Sequence, residues 1–183
     1  MRMSVKAKKI AISGMLAAIS AVLVTLGALI ETSTLFLIAA ASFGVGITIR
    51  EWGLRFGAGY WVASTLVNVL VAPNKFYCIT YACMGLYILL SECWWQKIAD
   101  SGYMTYRMTA LWLGKYAIFN LMFVPSVLFL QEIFIPGKLE SLGVMVIILL
   151  GQVALLVYDN AYRYFQTVIW GRIRINIVLK GKM

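Results

Sequence analysis

Six stretches of this chain are apolar over about the length that crosses a bilayer. They fall at 10–30, 34–50, 56–73, 76–96, 108–130 and 142–162. A helix needs about 20 apolar residues to traverse the hydrocarbon core. Inside that core only a segment that satisfies its own backbone hydrogen bonds is stable, which selects helices here. The pattern predicts an all-α integral membrane protein with six transmembrane helices in one bundle. The second run is the shortest and predicts little tilt. Composition agrees, because 62% hydrophobic against 13% charged residues leaves too little polar surface to cover a soluble core. The breaks are "ETST" (31–34), "REWGLR" (50–55), "PNK" (73–75), "QKIADSGYMTYR" (96–107) and "QEIFIPGKLES" (131–141). No repeat and no linker composition interrupts the series. Residues 1–183 therefore read as a single membrane domain that ends in a basic tail over 163–183.

Charge orients the spans. Thirteen basic residues fall on one side: Arg2, Lys6, Lys8, Lys9, Arg50, Arg55, Lys97, Arg107, Arg163, Arg172, Arg174, Lys180 and Lys182. Only Lys75 and Lys138 fall on the other, and Lys115 lies within a span. Lys and Arg accumulate in cytoplasmic loops, so both termini are expected inside, in keeping with an even number of spans. Trp52, Trp94, Trp95 and Trp170 sit near the same ends, as interfacial anchors do. The net charge of +9 does not point to nucleic acid, because the basic residues lie at the ends of apolar runs and form no patch with its own core. The first run is too long for a signal-peptide core and lacks a clear cleavage site, so it reads as a retained helix. Histidine is absent, and Cys78, Cys83 and Cys93 have no CxxC spacing. No metal, cofactor or disulfide framework is expected.

The first run is unusual in its small residues. At 100° per residue, Ala11, Gly14, Ala18, Ala21, Thr25 and Ala28 share one stripe, with Ala17 and Ser20 at its edge. Ile12, Met15, Leu16, Ile19, Val22, Leu23, Leu26 and Ile30 fall opposite. Lipid tails are as apolar as Leu, so membrane helices associate by close packing, and small residues permit it. The stripe is either a packing seam within the chain's own bundle or a docking surface for a partner helix.

A basic N-terminus, Ala17-x-x-x-Ala21 on the first helix and six short spans in 183 residues together resemble the substrate-binding S components of energy-coupling factor (ECF) transporters. The resemblance covers the layout of the whole chain, although its motif is short. It implies a six-helix fold with a ligand near the extracellular side and residence in a bacterial plasma membrane. It implies as partners a small water-soluble substrate such as a vitamin, a transmembrane coupling subunit and two ATPase subunits. Gly14, Ala17, Ala18 and Ala21 would then form the docking surface.

Polar residues within the spans outline a binding site independently. Such groups are costly in lipid and face a bundle interior or cavity. Trp61, Ser64, Thr65 and Asn68 share a face of the third span. Tyr77, Thr80, Tyr81 and Met84 share a face in the outer half of the fourth. Asn120 lies beside Tyr116 and Phe123 in the fifth, with Pro125 a turn later, and Gln152 lies near the middle of the sixth. Glu31 sits in the first outer loop and Lys75 at the mouth between spans three and four. The predicted substrate-binding set is Glu31, Trp61, Asn68, Lys75, Tyr77, Tyr81, Asn120 and Gln152. Aromatic walls with a few amides and hydroxyls suit a flat, polar, ring-containing ligand.

The remaining charges have simpler readings. Lys115 lies eight residues from Arg107, about 12 Å along a helix, and is expected to snorkel to the interface. Asp159 and Arg163 have ion-pair spacing, as do Glu51 and Arg55. Glu92, near the end of span four, is expected to reach water. No nucleophile–base pair and no P-loop is present, so the chain reads as a non-enzyme whose energy source is a partner. The alternative is a small membrane scaffold of the cell-envelope machinery with no ligand.

Overall fold

The computed structural model describes residues 5–100, 107–134 and 141–174. Six helices are long and apolar enough to cross a membrane, and the described residues contain no strand. They are α1 (Val5–Leu29), α2 (Thr34–Trp52), α3 (Leu54–Val71), α4 (Lys75–Asp100), α5 (Arg107–Phe134) and α6 (Ser141–Tyr164). A single 3₁₀ turn, Glu31–Ser33, joins α1 to α2. Beyond α6 the helix does not stop at 162. It passes through a π-helical segment, Phe165–Trp170, into a short α7, Gly171–Arg174. The start of the basic tail is thus helical. Large apolar side chains stand exposed along the helices, Leu70, Phe36 and Leu121 among them. A surface of that kind suits lipid rather than water.

The chain divides into two compact units, Met1–Lys97 and Ile98–Met183, although no linker marks the boundary in the sequence. In the first unit α2 packs against α1 and α3, and α1 also packs against α3. All residues from Ala41 to Ile49 in α2 are buried. A helix apolar on every side belongs in the interior, and this one is also rich in small residues, "AAASFGVG" at 39–46. Its neighbours come close for the same reason. On α3, a Cβ at Gly57 would collide with Ile49 of α2, and on α4 a Cβ at Gly85 would lie 2.7 Å from the Trp61 ring. The turn between α2 and α3 is a single residue, Gly53, with φ +91°. Only glycine takes that conformation without strain, and it reduces the predicted break at 50–55 to one residue.

At the opposite end, a core forms from Val24 of α1, Ile38 and Ala41 of α2, Ala72, and Cys78 and Tyr81 of α4, with Leu23, Tyr77 and Met84 packed against it. The Asn74 side chain starts α4 by accepting a hydrogen bond from the Phe76 N–H at 3.0 Å, an N-cap that satisfies one orphan donor.

In the second unit α5 and α6 are antiparallel neighbours, as two cross-pairs show: Asn120 with Gln152, and Lys115 with Asp159. Gly151 of α6 lies against the Phe123 ring, closer than a Cβ would allow. Helix α5 continues through Pro125. The ring removes one donor and strains the preceding turn, and there Ser126 donates its hydroxyl proton to the Met122 carbonyl at 2.7 Å.

Candidate functional site

The polar residues of the first unit converge on its interior. Along α3, Tyr60, Ser64 and Asn68 recur every four residues and are all buried. From α4, the buried Tyr81 hydroxyl donates to Ser64 Oγ at 2.8 Å, and Ser64 Oγ donates to the Trp61 carbonyl at 3.1 Å. From α1, Ser20 accepts a hydrogen bond from Asn68 Nδ2 at 3.0 Å. The hydroxyls of Ser20 and Tyr60 also lie beside that of Tyr81. Room for the Tyr60 ring comes from Gly44 of α2, where a Cβ would stand 2.7 Å from the phenol oxygen.

The cluster is not saturated. Asn68 Oδ1, the Tyr60 hydroxyl and Thr65 Oγ1 are buried without a hydrogen bond of good geometry. A buried acceptor with no donor costs about 1–3 kcal/mol, so these atoms mark where a donor-bearing molecule or water gains most. Chemically the cluster is neutral, made of hydroxyls and one carboxamide. It can orient a polar uncharged group, and it holds no acid or base to react with one.

Of the predicted set, Asn68 and Tyr81 meet in one cluster through Ser64 and Ser20. Ser20 and Tyr60 belong to that cluster and lie outside the predicted set. Ser20 lies on the edge of the small-residue stripe, and Tyr60 shares the four-residue spacing of Ser64 and Asn68. Both signals were readable. Trp61 is half-buried and donates its indole N–H to the Ala82 carbonyl at 3.0 Å, so it fastens α3 to α4. Tyr77 is half-buried against the core around Val24, Ile38 and Tyr81. The Lys75 ammonium donates to the carbonyls of Val69 and Ala72, at 2.5 and 3.2 Å, and so caps the end of α3. Glu31 begins the 3₁₀ turn, and its side chain lies outside the described residues.

Asn120 and Gln152 belong to the second unit and meet there. Gln152 Nε2 donates to Asn120 Oδ1 at 2.8 Å, and Asn120 Nδ2 donates to the Tyr116 carbonyl at 2.8 Å with a longer 3.4 Å contact to Gln152 Oε1. About two turns away along α6 in the same helix pair, Lys115 Nζ is 2.5 Å from Asp159 Oδ1, and Arg163 Nε is 3.3 Å from Asp159 Oδ2. Lys115 therefore does not snorkel. Pairing with a carboxylate is the cheaper answer to burial. Farther along, Gln166 in the π-helical segment is buried with neither amide atom hydrogen-bonded.

Protein-family models, curated proteins and solved structures give no match to this chain.

Glu92 does not reach water. It is buried in α4, and Arg50 of α2 donates to its Oε1 from Nε at 2.9 Å and from Nη2 at 2.6 Å. The small-residue stripe divides along α1. Gly14 and Ala18 are exposed, with nothing within 4 Å of a Cβ built at Gly14. Ala17 is half-buried, and Ala21 is packed inside the unit.

Proposed function

We propose that this chain is the substrate-capture subunit of an ECF-type importer in a bacterial plasma membrane. It binds a vitamin or similar small micronutrient and docks through α1 to a transmembrane coupling subunit driven by two ATPases. The observation that carries the reading is the exposed half of the small-residue face. Gly14 and Ala18 stand open while the same face farther along, at Ala21, is already packed. A packing seam internal to the chain would have no reason to continue past its contacts. A seam for a second helix requires it, because close approach is the main attraction available in lipid. The unsatisfied polar atoms along α3, at Tyr60, Thr65 and Asn68, support a recognition site for a donor-bearing ligand.

A second reading rests on a different observation. Asn120 and Gln152 satisfy each other, as an amide pair does when its purpose is to hold two helices together. A small membrane scaffold without ligand accounts for that pair equally well.

The experiment that separates the two is mass spectrometry of the small molecules released when the purified chain is denatured. A stoichiometric water-soluble compound is expected, and its amount falls in the Asn68→Ala and Tyr81→Phe variants. Release of lipid and detergent alone, from protein prepared with rich medium, refutes the capture reading and leaves the scaffold.

A further inference from the structure

Lys115, Asp159 and Arg163 form a three-charge group inside the second unit, and its charges do not cancel. The Asp159 carboxylate is shared between the Lys115 ammonium, 2.5 Å from Oδ1, and the Arg163 guanidinium, 3.3 Å from Oδ2. One positive charge is left over. The side chains are 2% exposed for Asp159, 16% for Lys115 and 46% for Arg163, so the excess sits on the open edge of the group. Arg163 also donates from Nη2 to Asn160 Oδ1 at 2.6 Å. Among the described residues its other terminal nitrogen has no acceptor. Trp112 underlies both cations, with its ring centroid 5.8 Å from Lys115 Nζ and 5.1 Å from the Arg163 guanidinium carbon.

The location decides what completes the group. Lys115 is seven residues from Met108, where the α5 span begins, about 10 Å along the axis. Arg163 lies a turn nearer that end on the antiparallel α6, about 6 Å closer, where a long guanidinium side chain can extend toward the headgroup layer. The anion present at that level of a membrane is the lipid phosphodiester. A guanidinium fork matches two phosphate oxygens, and an interfacial indole lies against the glycerol and upper acyl region.

We propose that Arg163, with Lys115 and Trp112, forms a binding site for the headgroup of an anionic phospholipid in the leaflet at the Met108 end of α5. Asp159 fixes the two cations in place and sets their excess at a single charge. The site belongs to the helix pair α5–α6 and stands whether or not the chain is a capture subunit.

Native mass spectrometry of the full chain in detergent tests it, with equal amounts of phosphatidylglycerol and phosphatidylcholine of the same acyl chains. Wild type is expected to retain phosphatidylglycerol about fivefold better, the worth of one basic residue at an anionic surface. Arg163→Gln erases that preference, Arg163→Lys keeps most of it, and Arg172→Gln, a change at an exposed arginine outside the group, leaves it intact. Asp159→Asn moves it the other way, to stronger retention, because the excess charge rises. Equal retention of both lipids by wild type, or an undiminished preference in Arg163→Gln, overturns the proposal. So does displacement of the bound lipid by millimolar inorganic phosphate, which would make the group a free-anion site.

Discussion

The Asn68 carboxamide donates from Nδ2 to Ser20 of another helix, 3.0 Å away, and leaves its own oxygen without a donor. This half-used amide joins α1, the helix with the open small-residue face, to α3, which carries most of the buried polar cluster. A molecule that donates to Asn68 Oδ1 would bind next to the contact between the two.

A double-mutant cycle measures that contact. Ser20→Ala and Asn68→Ala should each destabilise the folded chain. The coupling energy is expected to be about 0.6 kcal/mol and below about 2, the range for interhelical hydrogen bonds in membranes. Reversible unfolding in mixed micelles reads it, and additive single effects would mean that the bond is not formed.

The buried carboxylate of Asp159 makes a larger demand. Lys115→Met removes its closest partner and leaves the charge with Arg163 alone. A loss of about 3–5 kcal/mol is expected, because both partners are mostly buried. Lys115→Met combined with Asp159→Asn should recover most of the loss. Thermal unfolding in detergent checks the order of the three proteins, and a double variant no better than the single one contradicts it.

Two glycines of α3 predict opposite outcomes. Gly57→Ala drives a methyl into Ile49 of the central helix and should lower stability by about 1–3 kcal/mol, the cost of overpacking. Gly59 faces open space, and Gly59→Ala should be neutral or stabilising by up to about 1 kcal/mol from helix propensity. Thermal midpoints of the two variants in one detergent decide the matter.

The docking face has its own separable test. Gly14→Trp and Ala18→Trp place a large ring on the open part of α1 and should leave folding unchanged while abolishing co-purification with a coupling subunit. Ala21→Trp, at a packed position, should lower the folded yield itself. Normal assembly by both outer variants removes the main support for docking through α1.

Hydropathy length determined the architecture directly. Apolar runs near 20 residues admit only membrane helices, so the six spans were legible with their order, and α1, α3 and α4 begin or end within a few residues of the predicted limits. Polar residues inside those runs were legible too, since lipid forces them inward, and Asn68, Tyr81, Asn120 and Gln152 all pack against partners. Their partners were not legible. Whether Lys115 extends to the interface or turns to Asp159 depends on a carboxylate from a different helix, 44 positions along the chain. The same holds for Glu92, which its place near the end of span four sends to water and Arg50 keeps inside. The central place of α2 shows the limit most clearly. Its sequence marks it as a short apolar span like its neighbours, but a helix is buried on every side only when the others surround it. Spacing along one chain determines which face a residue occupies. What that face meets is decided only when helices distant in sequence pack together.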